Sequence, residues 1–222
     1  SYNAMQAGVD FGFEYMETRI SNESADTRLM AERLARAINF DPRLLSKQIP
    51  YFFVEPTIVI ESLDNTADPH VGYLTVLSCK SMIPCSQKNQ VSYFVKMLVQ
   101  HTIFVPVYQA VVALRLRLGH IFHRFFDEVM PNERFYLGGS YSLRGYETDV
   151  APPVSFYQDE QGCERIVPRG GKSMININAE LRIGLTRSLG AVIFNDIGAL
   201  SGDMFADVTM KNILVAVGMG LR

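Results

Sequence analysis

The segment Ser173–Leu185 alternates between two chemical sets along its whole length. Ile175, Ile177, Ala179, Leu181, Ile183 and Leu185 fall on one side, and Asn176, Asn178, Glu180, Arg182 and Gly184 on the other. A period of two separates these sets only if the backbone is extended, because a helix would scatter both around its circumference. The segment is therefore a strand with one apolar and one polar face. The same pattern recurs. In Gln6–Ile20, Val9, Phe11, Phe13 and Tyr15 oppose Asp10 and Glu14. In Val91–Phe104, Val91, Tyr93, Val95, Met97 and Val99 alternate with Ser92, Lys96 and Gln100. In Val111–Leu118, Val112, Leu114, Leu116 and Leu118 oppose Arg115 and Arg117. In Asn212–Arg222, Ile213, Val215, Val217, Met219 and Leu221 oppose Ala216, Gly218 and Gly220. Tyr51–Glu61, Val71–Lys80 and Leu189–Leu200 are weaker candidates.

Alternation alone fits a soluble sandwich as well as a membrane barrel, since both bury one face. Two features favour the barrel. The strands run to about 10–14 residues, against a usual length of about 5–6 in soluble sheets. The connections alternate in length: Asp64–Pro69, Phe104–Tyr108 and Thr186–Ser188 are short, whereas Ser21–Pro50, Gly119–Lys172 and Ser201–Lys211 are long. Outer-membrane barrels have tight turns at one mouth and long loops at the other. Lys80–Gln90 belongs to the long side by strand parity, although it is modest in size.

Composition narrows the function classes. With 20% charged residues and a net charge of −2, the chain lacks the basic excess of a nucleic-acid binder. Its 48% apolar content is too high for a disordered chain. No uninterrupted apolar run reaches the roughly 18 residues of a spanning helix, which leaves spanning strands untouched as a possibility. Three cysteines, Cys79, Cys85 and Cys163, preclude a fully paired disulfide framework. Cys79 and Cys85 could bridge across a hairpin end or serve as small apolar fillers. His120 and His123, beside Arg124, read as surface histidines on a strand end rather than as metal ligands. Residues 24–38 break the period of two: Leu29, Leu34, Ala37 and Ile38 recur at helical spacing among Arg28, Glu32, Arg33 and Arg36. They predict a short amphipathic helix in an outer loop, solvated on most of its surface.

Within the long connection 119–172, Glu133–Pro153 reads ERFYLGGSYSLRGYETDVAPP. Gly138 and Gly139 permit a tight backbone path, and Arg144 precedes a further flexible point, Gly145, and then Tyr146. Phe135, the paired glycines and the tetrad Leu143-Arg144-Gly145-Tyr146 resemble the loop hallmark of the BamA/TamA superfamily of outer-membrane assembly barrels. Ala151-Pro152 and Gly170-Gly171 look more like its TamA branch. The resemblance continues in order through Ala179-Glu180-Leu181-Arg182, Phe194-Asn195-Asp196-Ile197-Gly198 and Val217-Gly218-Met219-Gly220-Leu221-Arg222. In the family the glutamate of the first of these points into the lumen. Asp64–Tyr73 is a loose match to its periplasmic turn.

The resemblance implies an all-β, antiparallel transmembrane barrel domain over 1–222 with a long in-folded loop. It is expected to be incomplete, with about eight strands of a barrel of roughly sixteen. Family chains run on through a proline-glycine-proline segment and two more strands, and periplasmic modules precede the barrel. No signal peptide is legible at Ser1–Gly12. On these grounds the chain reads as a C-terminal barrel fragment of an outer-membrane protein.

An arginine on a loop folded into a lumen needs acceptors, since it never loses its charge. Strand parity points Glu180 and Asp196 inward, so the expectation is an ionic latch in which Arg144 bridges both. Arg115, Arg117, Asn176, Asn178 and Arg182 should line the lumen, with Arg115 and Arg117 neutralised by inward carboxylates such as Asp10 and Glu14. Two acids beside an arginine could instead form a catalytic acid–base set. No nucleophile, phosphate loop or metal cluster accompanies them, so an enzyme is not expected, nor a cofactor or metal. The family role implied is assembly, insertion or translocation of outer-membrane or autotransporter-type polypeptides. Its partners would be outer-membrane lipid, unfolded client polypeptides and periplasmic or inner-membrane accessory proteins, with no nucleic acid. A two-partner-secretion transporter, a passive porin-type barrel and a soluble all-β binding domain are the alternatives.

Overall fold

The computed structural model describes residues 2–17, 25–45, 47–85, 92–125, 129–158, 162–186, 189–202, 205, 208 and 212–222. Among the described residues, eight strands form one antiparallel sheet. They are β1 (Tyr2–Glu17), β2 (Gln48–Leu63), β3 (Gly72–Pro84), β4 (Phe94–Val107), β5 (Ala110–His123), β8 (Ser173–Gly184), β9 (Gly190–Ser201) and β10 (Leu214–Leu221), in that spatial order. Two shorter strands, β6 (Val154–Gln158) and β7 (Glu164–Pro168), pair as a separate hairpin inside the long connection. Among the described strands, β1 and β10 are the two edges of the sheet. Between β1 and β2 lie an α-helix, α1 (Ala25–Ala37), and a 3-10 turn, Pro42–Leu44. No described helix is long and apolar enough to cross a membrane.

The expected strands are present, and several run further than the alternation suggested. β5 continues to His123, so the long connection starts after that residue rather than at Gly119. β4 continues to Val107, leaving Tyr108 and Gln109 as the turn. Tyr108 takes the left-handed backbone that such a turn requires. Ser24, Val91 and Ser188, at the bounds of an expected helix, strand and turn, lie outside the described residues. Cys79 and Cys85 are not bridged.

The two faces of the sheet differ as a lipid-facing wall should. Outward apolar side chains are left bare: Phe11 and Phe13 are 72% and 71% exposed, and Val217 is 71% exposed. They do not pack against a second sheet, because the only other sheet among the described residues is the β6–β7 hairpin. The inward face carries Asn176, Asn178 and Asp196, all buried. An outward apolar band over an inward polar face is the arrangement of an outer-membrane barrel.

The inward face is not polar throughout. Near the long-loop mouth it turns apolar: Met16, Tyr51, Met82, Phe94, Ile121 and Met174 form one buried cluster. Phe135, Leu137 and Leu143 of the long connection complete that cluster from the middle of the lumen. The sheet thus wraps around a packed loop, and burial of these side chains contributes roughly 1.5–3 kcal/mol each. Gly119 shows how close the approach is, since a Cβ there would sit 2.5 Å from the Phe135 ring.

The described side chains of α1 are mostly exposed or half-buried, as expected, with Leu29 51% exposed. Its end and the segment after it do enter the core: Ala35, Phe40 and Leu44 are each 2% exposed and belong to the same cluster, with Ile38 packed against it. They meet the loop core at the mouth of the lumen. One expectation is corrected: His120 is not a surface residue. It is buried and hydrogen-bonded through Nδ1 to Ser173 Oγ at 2.7 Å, because β5 extends past it to pair with β8.

Candidate functional site

The long connection enters the lumen along its own backbone frame. Phe135 and Gly171 exchange both backbone hydrogen bonds, at 2.8 and 3.0 Å, and Ala151 N–H donates to Leu137 O at 3.0 Å. Between them residues 138–146 close on themselves. Ser142 Oγ donates to Gly138 O at 2.7 Å and accepts from Gly138 N–H at 2.9 Å. Gly139 N–H donates to Tyr146 O at 3.0 Å. Gly138 must be glycine, because its φ is +122° and a Cβ would stand 2.1 Å from Glu147 O. Gly139 and Gly145 also have positive φ. The tetrad is therefore presented by a preorganised turn rather than by a slack loop.

Arg144 projects from this turn onto β8 and β9. Its Nη1 donates to Glu180 Oε1 at 2.6 Å, and its Nη2 to Asp196 Oδ1 at 2.7 Å. Nε reaches Asp196 Oδ2 at 2.8 Å, and the Arg144 backbone N–H donates to that same oxygen at 3.0 Å. The guanidinium plane also lies 3.7 Å from the centroid of the Phe194 ring. A planar five-donor fork can satisfy two acids and an aromatic face at once, which a lysine cannot. Hydrogen bonding to Asp196 above all, and then to Glu180, raises the Arg144 pKa above its ordinary value.

The neighbouring strands supply a polar floor. Asn178 is opposite Asp196 in the β8–β9 register and donates to Asp196 Oδ1 at 2.7 Å and to Ser142 O at 2.7 Å. Asn176 donates to Ser142 O at 3.0 Å. Arg115 and Arg117, opposite Asn178 and Asn176 in the β5–β8 register, each donate twice to the facing amide oxygen. Arg115 also reaches Tyr141 O at 2.5 Å. Arg182 pairs with Glu180 Oε2 at 2.9 Å. Below the turn lies a cavity of about 340 Å³ lined by Thr102, Arg115, Arg144, Asn178, Glu180 and Arg182 among others.

All the expected lumen residues thus meet on one face, while the partners expected for Arg115 and Arg117 are corrected. Neither arginine turns to Asp10 or Glu14. Those acids stand on β1, four strands from β5, and Glu14 instead accepts from Lys80 at 3.2 Å. The facing asparagines are nearer in register, and the pattern of alternation gave no means to see which strands would be neighbours.

Four site features had no role assigned from the sequence. Phe194 stacks under Arg144. Gly218 makes room for that ring, since a Cβ there would be 2.5 Å from it. Gly198 makes room for the turn, since a Cβ there would be 2.9 Å from Leu143 Cδ1. A glycine inside a strand is the available signal for such close approach. Fourth, Glu133 and Arg134 are buried at the start of the motif. Arg134 donates to Val129 O at 3.1 Å, Arg169 O at 3.0 Å and Asn39 O at 2.8 Å, and also bonds Ile38 O. It thereby ties the end of the α1 segment to the hairpin and the motif loop.

An inward-charged, outward-apolar antiparallel sheet with an arginine-bearing loop held in its lumen defines a bacterial outer-membrane β-barrel protein. A sequence profile of the Omp85 superfamily domain matches residues 5–222, and the chain belongs to that superfamily. Among solved structures it is similar to BamA from Haemophilus ducreyi lacking POTRA domains 1–3. The TM-score is 0.69 at 18% identity, over 99% of this chain and 44% of that one. The chain thus spans less than half the length of the relative it matches.

Proposed function

We propose that this chain is the barrel portion of a factor that assembles or inserts polypeptides into the outer membrane, and that the Arg144 contact is a latch holding the motif loop in the lumen. One observation carries the reading of the site. A single guanidinium is shared between carboxylates on two adjacent strands, one of them wholly buried. Such a contact fixes the loop against both strands at once, and through Phe194 and Gly218 it also bears on β10. The reading gives the residues no catalytic step. The clients would be unfolded outer-membrane or autotransporter-type polypeptides, engaged through backbone pairing at a strand edge. A passive pore is disfavoured because the loop, with Leu137 and Leu143 wholly buried, packs against the inward face of the sheet at one mouth.

The test is made in the full-length protein in cells. Arg144→Ala should lower the amount of folded client barrels in the outer membrane while the variant itself remains present there. Normal client assembly with the loop demonstrably loosened would remove the functional role of the latch.

A further inference from the structure

Lys80 on β3 and Lys96 on β4 are direct register partners, and they point to the same inward face. Like charges placed opposite one another across a strand pair repel. This pair is nevertheless half-buried, with side chains only 18% and 24% exposed. The motif loop resolves the conflict. Glu133, 5% exposed, sets Oε1 at 2.7 Å from Lys80 Nζ and Oε2 at 3.5 Å from Lys96 Nζ. Glu14 adds a second contact to Lys80 at 3.2 Å. The Lys96 ammonium also lies 5.1 Å from the centroid of Phe135, the residue that opens the loop's descent.

The two contacts are mirror images in charge. On β3 and β4 the wall offers cations and the loop an anion; on β8 and β9 the wall offers anions and the loop a cation. We propose that Glu133 is a second anchor of the motif loop, seated between Lys80 and Lys96, so that the loop is tied at both ends by opposite charges. The polarity gives the loop one seating only, because reversing its direction would place each charge against its own sign. Glu133 is thus a positioning residue for Arg144. The proposal builds on the latch reading, but its own anchor can be tested separately.

The experiment uses the folded full-length protein in lipid or detergent, with two cleavage sites read by fragment mass. Trypsin cleavage after the buried Arg134 reports the Glu133 end, and glutamyl-endopeptidase cleavage after the exposed Glu147 reports the Arg144 end. Proteolysis follows the population of the open form when closing is fast. Glu133→Gln should raise cleavage after Arg134 by at least about tenfold, since a buried cation pair loses its anion. Glu133→Lys, scored as the summed tryptic cleavage on both sides of Arg134, should raise it further, and adding Lys80→Glu should bring that sum back towards the wild-type rate. If Glu133→Lys does not fold, Lys80→Gln with Lys96→Gln replaces it and should raise the same cleavage with the loop sequence intact. Cleavage after Arg134 that stays at the wild-type rate, or a rise that Lys80→Glu leaves untouched, overturns the second anchor. Arg144→Ala run in parallel separates the two readings. An unchanged rate after Glu147 removes the latch while leaving the Glu133 result to stand on its own.

Discussion

Replacing Arg144 by alanine removes four side-chain contacts and strands two acids. Asp196 is wholly buried, so its loss is the larger. It keeps the Asn178 amide at 2.7 Å and the Arg144 backbone N–H at 3.0 Å, and Glu180 keeps Arg182 at 2.9 Å. Breaking a buried pair by removing one partner costs about 3–5 kcal/mol. The remaining donors, and the partial exposure of Arg144 and Glu180, place this case at about 3 kcal/mol or somewhat below. At 1.36 kcal/mol per tenfold, that raises the open population of the loop by roughly a hundredfold. The assay is cleavage after Glu147, which lies in the exposed stretch Glu147–Asp149 beyond the tetrad. Arg144→Lys should fall between the wild type and alanine, because a point charge reaches one acid and gives up the flat contact with Phe194. Equal cleavage rates for wild type and Arg144→Ala, with the sheet intact by circular dichroism, would refute the reasoning.

Other substitutions probe the rest of the construction. Gly218→Ala places a Cβ 2.5 Å from the Phe194 ring and should loosen the Arg144 end, at an overpacking cost of about 1–3 kcal/mol. Cleavage after Glu147 checks it, and an unchanged rate would show that Phe194 does not support Arg144. Leu114→Arg, on the outward row of β5, should lower the stability of the sheet in lipid by about 2–4 kcal/mol if that row meets hydrocarbon near the midplane. Denaturant unfolding in vesicles measures it, and a neutral result would contradict the lipid-facing assignment. Asp41, buried at the cap, accepts from Arg43 at 2.9 and 3.0 Å, and this bonding holds its carboxyl below the ordinary value of 3.8. A carboxyl with a depressed folded pKa stabilises the fold above its unfolded pKa, and that contribution fades as pH falls through the folded value. Protection of the Arg43, Leu44 and Leu45 amides against hydrogen exchange should therefore fall below pH 3.8 in the wild type, and Asp41→Asn should flatten that acid limb.

Strand existence and face assignment were legible because each follows from a local rule, whereas the Arg144 partners were legible through the family resemblance, which implies an in-folded loop and a glutamate that faces it. A period of two places Asn176, Asn178 and Glu180 on one side of β8 whatever surrounds it. A permanent cation on an in-folded loop demands carboxylates on that side. The partners of Arg115 and Arg117 were not legible, because they depend on which strand lies beside β5. The intervening connection of β5 and β8 carries a hairpin and a loop, and parity says nothing about adjacency across it.

The sequence by itself determined the extended strands, the polar and apolar faces, the glycines the motif turn needs and the charge that must be answered inside. The tertiary structure alone decided the burial of Ala35, Phe40 and His120, the apolar plug around Phe135 and Leu143, and the seating of Glu133 between two lysines. The physical reason is range. Alternation and backbone conformation are set by neighbours in the chain, whereas these contacts join residues distant in sequence that meet only when the sheet curves around the loop.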